Sequence, residues 1–306
     1  MKKKQAFTMI ELIIVIVVLG ILGKYGVEFM AQAYRNYINQ HLMSKLQGSS
    51  SIAAEFIASR LKYRIRDSII IRRRSNFSDF RSLEGYDGTG SYDILEWVAY
   101  DGDSFRSGLW SGIIDQMYAH STSPAPDDIY TPGTDTSAVN SYIQTLSNNA
   151  TTIADAAIYI KNFENDIQTG YGWDGNAITD QNRTMHPITN DTNVSKFKSS
   201  ISGVTLSVVN ENIRDDSRYY LSWTAYAVVL NTSTSELWFY YDYQPWNGEK
   251  YSDATTKKKL IMSNVDTFKM IQINEIIKLQ VCTTSDINFT TIDGDKFAIC
   301  SEKIVY

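Results

Sequence analysis

Residues 2–23 read KKKQAFTMIELIIVIVVLGILG. Three lysines open the stretch, Gln5 and Ala6 follow, and an apolar run extends from Phe7 to Gly23, broken only by Thr8 and Glu11. At about 1.5 Å per residue the run makes roughly 25 Å of helix, near the lower limit for crossing a bilayer. Positive charge ahead of it predicts a cytoplasmic N-terminus with the remainder sent outward. A secretory signal peptide is the alternative, but no small-residue cleavage pattern follows the run and a carboxylate sits inside it. Glu11 is the anomaly, because a charge at membrane depth costs about 2.5–3.5 kcal/mol on insertion scales and calls for a partner. The next basic residue downstream is Lys24. A cut between Ala6 and Phe7 would supply one: the new α-amino group of one copy would pair with Glu11 of its neighbour in a helical assembly. A Glu snorkelling from a poorly placed anchor is the competing reading.

In order and spacing these residues resemble the class III signal peptide of type IV pilins and type II secretion pseudopilins. The resemblance implies that a prepilin peptidase removes a leader, residues 1–6, and that Phe7 becomes the N-methylated first residue. It places Glu11 fifth in the mature chain, as the residue of the assembly ion pair. Ala6 departs from the Gly that the family prefers before the cut. The implied fold is α+β and pilin-like: a long N-terminal helix, membrane-spanning in its first half, packed on a C-terminal antiparallel β-sheet.

Beyond the run, apolar residues recur at helical spacing at Phe29, Ala33, Tyr37, Ile38, Leu42, Leu46, Ile52, Phe56 and Ile57. No Pro precedes Pro124, so one helix to about residue 71 is permitted, with Gly48 and the serines after it as its weak point. The expected division is a leader at 1–6, a transmembrane or filament-core helix at 7–30 and its amphipathic second half at 31–74. A large mixed insertion follows at 75–200, and a β-sheet region with a C-terminal disulfide loop at 201–306. The insertion is rich in Gly, Asp, Asn, Ser and Thr, and a helix is expected from Ser137 to Lys161. Strands are expected at 204–208, 219–230, 237–243, 268–273, 276–282 and 296–306, with Asn274-Glu275 as a two-residue hairpin.

The 306 residues carry a formal charge of −5, so nothing global favours nucleic acid. His41, His120, His186, Cys282 and Cys300 lack ligand spacing, which argues against a zinc site, and no phosphate loop or nucleophile elbow occurs. No cofactor and no metal are expected. Asp101-Gly-Asp103 and Asp293-Gly-Asp295 do not continue into a calcium loop and read as tight turns. Locally, Arg60, Lys62, Arg64, Arg66, Arg72, Arg73 and Arg74 face only Asp67 in the 60–74 stretch. Such a patch fits a contact with an acidic face of this protein or a neighbour; DNA or anionic lipid is the alternative.

Cys282 and Cys300 would lie outside the cytoplasm, where a disulfide persists and adds about 3 kcal/mol; two buried thiols are the other reading. The pair is similar in placement to the disulfide-bounded region of type IV pilins. Asn182, Asn193 and Asn288 each follow an acidic residue by two positions and precede Thr or Ser by two, resembling the bacterial N-glycosylation sequon.

The expectation is a non-enzymatic minor pilin or pseudopilin of a type IV pilus or type II secretion filament. Its partners would be other pilin or pseudopilin subunits, prepilin peptidase, the inner-membrane assembly platform and the lipid bilayer. It would be single-pass in a bacterial inner membrane with its C-terminal domain in the periplasm. The alternative is a permanently anchored periplasmic binding protein or enzyme, with Trp238, Tyr240, Tyr241 and Trp246 lining a sugar or peptide groove. The same aromatics read equally as the two faces of a packed strand.

Overall fold

The computed structural model describes residues 8–115, 128–160, 166–179, 184–191, 194–200, 218–284 and 298–306. Helix α1 (Met9–Leu61) opens it, about 80 Å long. Every residue from Met9 to Tyr37 is exposed, including Ile10, Leu19 and Phe29. Burial begins at Ser50 and continues at Ala53, Ala54, Ile57, Ala58 and Leu61, one face of the last three turns. The helix passes Gly48 and its serines without a break. Of these small residues Ser50 serves close approach: it is fully buried, 2.7 Å from the Ser301 hydroxyl.

The helix ends ten residues sooner than the absence of proline allowed, and the second half expected at 31–74 is corrected accordingly. Lys62 caps it, Ile65 is extended, and Ile70–Arg73 form strand β1. Three consecutive isoleucines (Ile69, Ile70, Ile71) suit a pleated surface buried on both faces better than a solvated helix. β1 pairs with β2 (Asn76–Ser82) and β3 (Ile94–Ala99). Beyond β3 lie β9 (Thr224–Asn231), β10 (Glu236–Tyr243) and β11 (Lys257–Ser263), in the antiparallel order β11-β10-β9-β3-β1-β2. Residues 76–82 and 94–99 therefore belong to the central sheet and not to an insertion beside it.

Alternation sorts this sheet into two cores. Ile71, Leu95, Trp97, Val228 and Phe239 face α1 and a second sheet. Ile70, Ile94, Val98, Ala227 and Val229 face the other way, against Tyr171, Trp173, Tyr243 and Trp246. The second sheet is β12 (Val265–Ile273), β13 (Ile276–Thr284) and β14 (Ala298–Val305). Its first hairpin turns at Asn274-Glu275 with Asn274 at φ 54°, a left-handed position that Asn tolerates. α1 lies against β13 and β14.

A third core holds five strands in the order β4-β7-β6-β5-β8: β4 (Asp128–Tyr130), β5 (Ala157–Ile160), β6 (Met185–Asn190), β7 (Lys196–Ser199) and β8 (Tyr219–Ser222). Two short helices accompany it, α2 (Gly102–Arg106) and α3 (Thr136–Ser147). The helix expected over 137–161 stops at Ser147, because Asn148 and Asn149 take left-handed conformations and the apolar run at 157–160 is claimed by β5. The single strand expected over 219–230 is two, switching sheets at Trp223. The strand expected at 204–208 lies outside the described residues.

Candidate functional site

The start of α1 is built locally. Thr8 is the N-cap: its hydroxyl accepts from the Glu11 backbone N–H at 3.4 Å, and Glu11 Oε2 accepts from the Thr8 N–H at 3.2 Å and its hydroxyl at 3.1 Å. This capping box satisfies two otherwise orphaned donors, and Thr8-x-x-Glu11 is its sequence signature, overlooked in the reading of Glu11 as an unpartnered charge. Ala6 and Phe7 lie outside the described residues. The apolar run after Glu11 is long enough to cross a membrane by length and composition, and none of it is buried among the described residues. Lys24 and Glu28, one turn apart at 3.9 Å, mark its polar end.

The seven basic residues do not form one face. Arg72 is fully buried on the second core: its Nε reaches Glu96 Oε1 at 2.5 Å, Nη2 donates to the Trp173 carbonyl at 2.8 Å and Nη1 donates to the Phe77 carbonyl. Its guanidinium also lies 3.9 Å from the Phe77 ring centre. Arg64 is buried too, donating to the carbonyls of Leu61, Glu275 and Tyr306 and tying the end of α1 to β14. Burial, with Arg66 beside it, lowers the Arg64 pKa. Arg66 pairs with Glu275, Arg73 with Asp79 at 2.9 Å, and Arg74 donates to Asn231. Arg60 and Lys62 remain exposed. A strand's alternation, which charge counting ignores, sends Arg72 and Arg73 to opposite faces, and Arg74 lies beyond the end of β1.

Cys282 and Cys300 are disulfide-bonded and face each other across β13 and β14. Asn182, Asn193 and Asn288 lie outside the described residues, as does Asp293-Gly-Asp295. Asp101 starts a helix rather than a tight turn, its carboxylate accepting from the Ser104 N–H at 3.1 Å. The aromatics proposed for a groove are divided: Trp246 is buried in the second core, and Tyr240 and Tyr241 alternate along β10 onto opposite faces. His186 is fully buried in β6, and desolvation pushes its pKa down to about 3.

Residues 1–23 match the family described as prokaryotic N-terminal methylation motif. No curated protein and no solved structure matches the chain. A methylation motif leading a long apolar helix, followed by antiparallel sheets, is an arrangement that fits a prepilin. The type it fits is the type IV pilin or pseudopilin.

Proposed function

We propose that the chain is a non-enzymatic minor subunit of a type IV pilus or type II secretion filament. The observation that carries this reading is the contrast along α1. Its last three turns are gripped by the sheets, while its first twenty-nine residues, which begin within the methylation motif, expose apolar side chains that nothing among the described residues covers. In the membrane, lipid covers them; in a filament, helices of neighbouring subunits would do so. Prepilin peptidase cuts after Ala6, Phe7 is methylated, and Glu11 pairs with the terminal amine of the adjacent subunit. The disulfide supports an extracytoplasmic, periplasmic domain, since such bonds persist in oxidising compartments. A large extramembrane body with three cores fits a tip or initiation position better than a repeated shaft position.

Peptide mass spectrometry of the N-terminus from native membranes tests the reading. A mature start at N-methylated Phe7 is expected, and Ala6→Gly should speed processing. A start at Met1 in cells with active prepilin peptidase refutes it and leaves a permanently anchored protein.

A further inference from the structure

Among the described residues the three sheets have six end strands, and five of them are guarded against pairing with another chain. β11 carries Lys257, Lys258 and Lys259 and bulges at Ile261. β2 is irregular between Asn76 and Phe80. β12 has an extra residue at Asp266 and is met at Gln272 by a bridge from Glu84. β4 and β8 are only three and four residues long. β14 differs from all of these. Its eight residues pair one for one with β13 without a bulge and include neither Pro nor Gly. Its charges are already taken within the protein, Lys303 by Glu55 of α1 and Glu302 by Lys278 at 2.8 Å.

Beyond the ladder with β13, no backbone group of β14 bonds to another backbone group among the described residues. The strand is nevertheless fixed in place. Cys300 ties it to Cys282 of β13, and on the face turned to α1 the Ser301 hydroxyl meets that of Ser50 at 2.7 Å. Alternation puts Cys300, Glu302 and Ile304 on the opposite face, where Ile304 is 50% exposed. An edge held in this way loses little freedom when a further strand joins it.

We propose that the free edge of β14 takes up an extended strand from another polypeptide, adding a fourth strand to this sheet. A second β14 is excluded as the donor by direction. α1 and β14 run the same way, since Ser50, Glu55 and Arg64 meet Ser301, Lys303 and Tyr306 in that order. The antiparallel pairing that a two-fold axis gives would point two α1 helices oppositely, which chains anchored in one membrane cannot do. That step rests on α1 being a membrane anchor. The strand that fits lacks Pro and alternates. On the solvent face an apolar residue lies beside Ile304 and a basic one beside Glu302, and small polar residues face the α1 side.

The probe is acetyl-Thr-Val-Thr-Lys-Thr-Val-Thr-amide, which has the same pattern in either direction. It is added at about 5 mM to the full-length protein in micelles, and amide hydrogen exchange over residues 298–306 is read by mass spectrometry. With a Kd of about 1 mM, exchange there should slow about fivefold, while β9 and β10 stay unchanged. Replacing the central Lys of the peptide by Pro should abolish the effect; replacing it by Glu, a like charge beside Glu302, should weaken it about threefold. Extending the protein after Tyr306 with Asn-Gly-Thr and the same heptapeptide lets the added strand fold back on β14 as a hairpin. This extension should itself slow exchange in β14 and remove the response to free peptide. No slowing with the heptapeptide overturns the proposal. Slowing that the proline peptide reproduces, or that persists in the extended protein, overturns it as well. None of these readings needs a filament, so they stand apart from the result of the N-terminal mass spectrometry.

Discussion

Arg72→Met removes the charge from the most buried cation of the described residues and keeps much of its aliphatic volume. Arg72 and Glu96 have side-chain exposures of 0% and 2%, so the pair has no solvent to fall back on. Without Arg72, Glu96 keeps the Tyr243 hydroxyl at 3.0 Å as its donor and loses its counter-charge. Breaking such a pair costs about 3–5 kcal/mol, roughly a fifth or more of the stability of a typical domain. Arg73→Met is the control, because its pair with Asp79 is 43% and 38% exposed; its loss should cost at most about 1 kcal/mol. Adding Glu96→Gln to Arg72→Met removes the stranded carboxylate while leaving an acceptor for Tyr243, and should recover about 1–3 kcal/mol. Urea titration of the full-length protein in micelles, followed by the fluorescence of the buried tryptophans, reads all four proteins. The reasoning fails if Arg72→Met stays within about 1 kcal/mol of the parent, or if the double variant is no better than the single one.

Glu11→Ala should abolish recovery of the protein in sheared filament fractions while leaving it in membranes; normal incorporation would refute the assembly role proposed for Glu11. Replacing both Cys282 and Cys300 by Ser should cost about 2–5 kcal/mol in the same urea assay, with the parent falling to that level under reductant. His186 is neutral in the fold with a pKa near 3, against about 6.5 unfolded, so the unfolded chain takes up the proton first as pH falls. Its contribution is present above about pH 6.5 and should decline by about 3 kcal/mol between pH 7 and pH 4; His186→Gln should flatten that part of the profile.

The β12–β13 hairpin was readable from two apolar runs around Asn274-Glu275, because turn chemistry is local. The fate of 62–74 was not. Three isoleucines and a run of arginines are compatible with a helix until a sheet offers β1 both a partner strand on each side and two apolar layers. The same holds for 219–230, a continuous β-prone run that two different sheets divide between them at Trp223. The capping box was present in the sequence and needed only the Thr8-to-Glu11 spacing to be recognised.

The order of residues 1–23 was enough to show the methylation motif and the apolar segment without help from the fold, because a bilayer senses a linear apolar segment and the charges beside it, wherever the rest of the chain goes. Arg72, Arg73 and Arg74 are consecutive and chemically identical, yet one is sealed in a core, one shares an exposed ion pair and one bonds to the last residue of β9. Their differences come from Glu96, 24 positions on, and Trp173, 101 positions on, brought close only by the paired strands and the core around them. Burial is a property of that arrangement and not of the residue, and so the tertiary structure alone decided which charges face water.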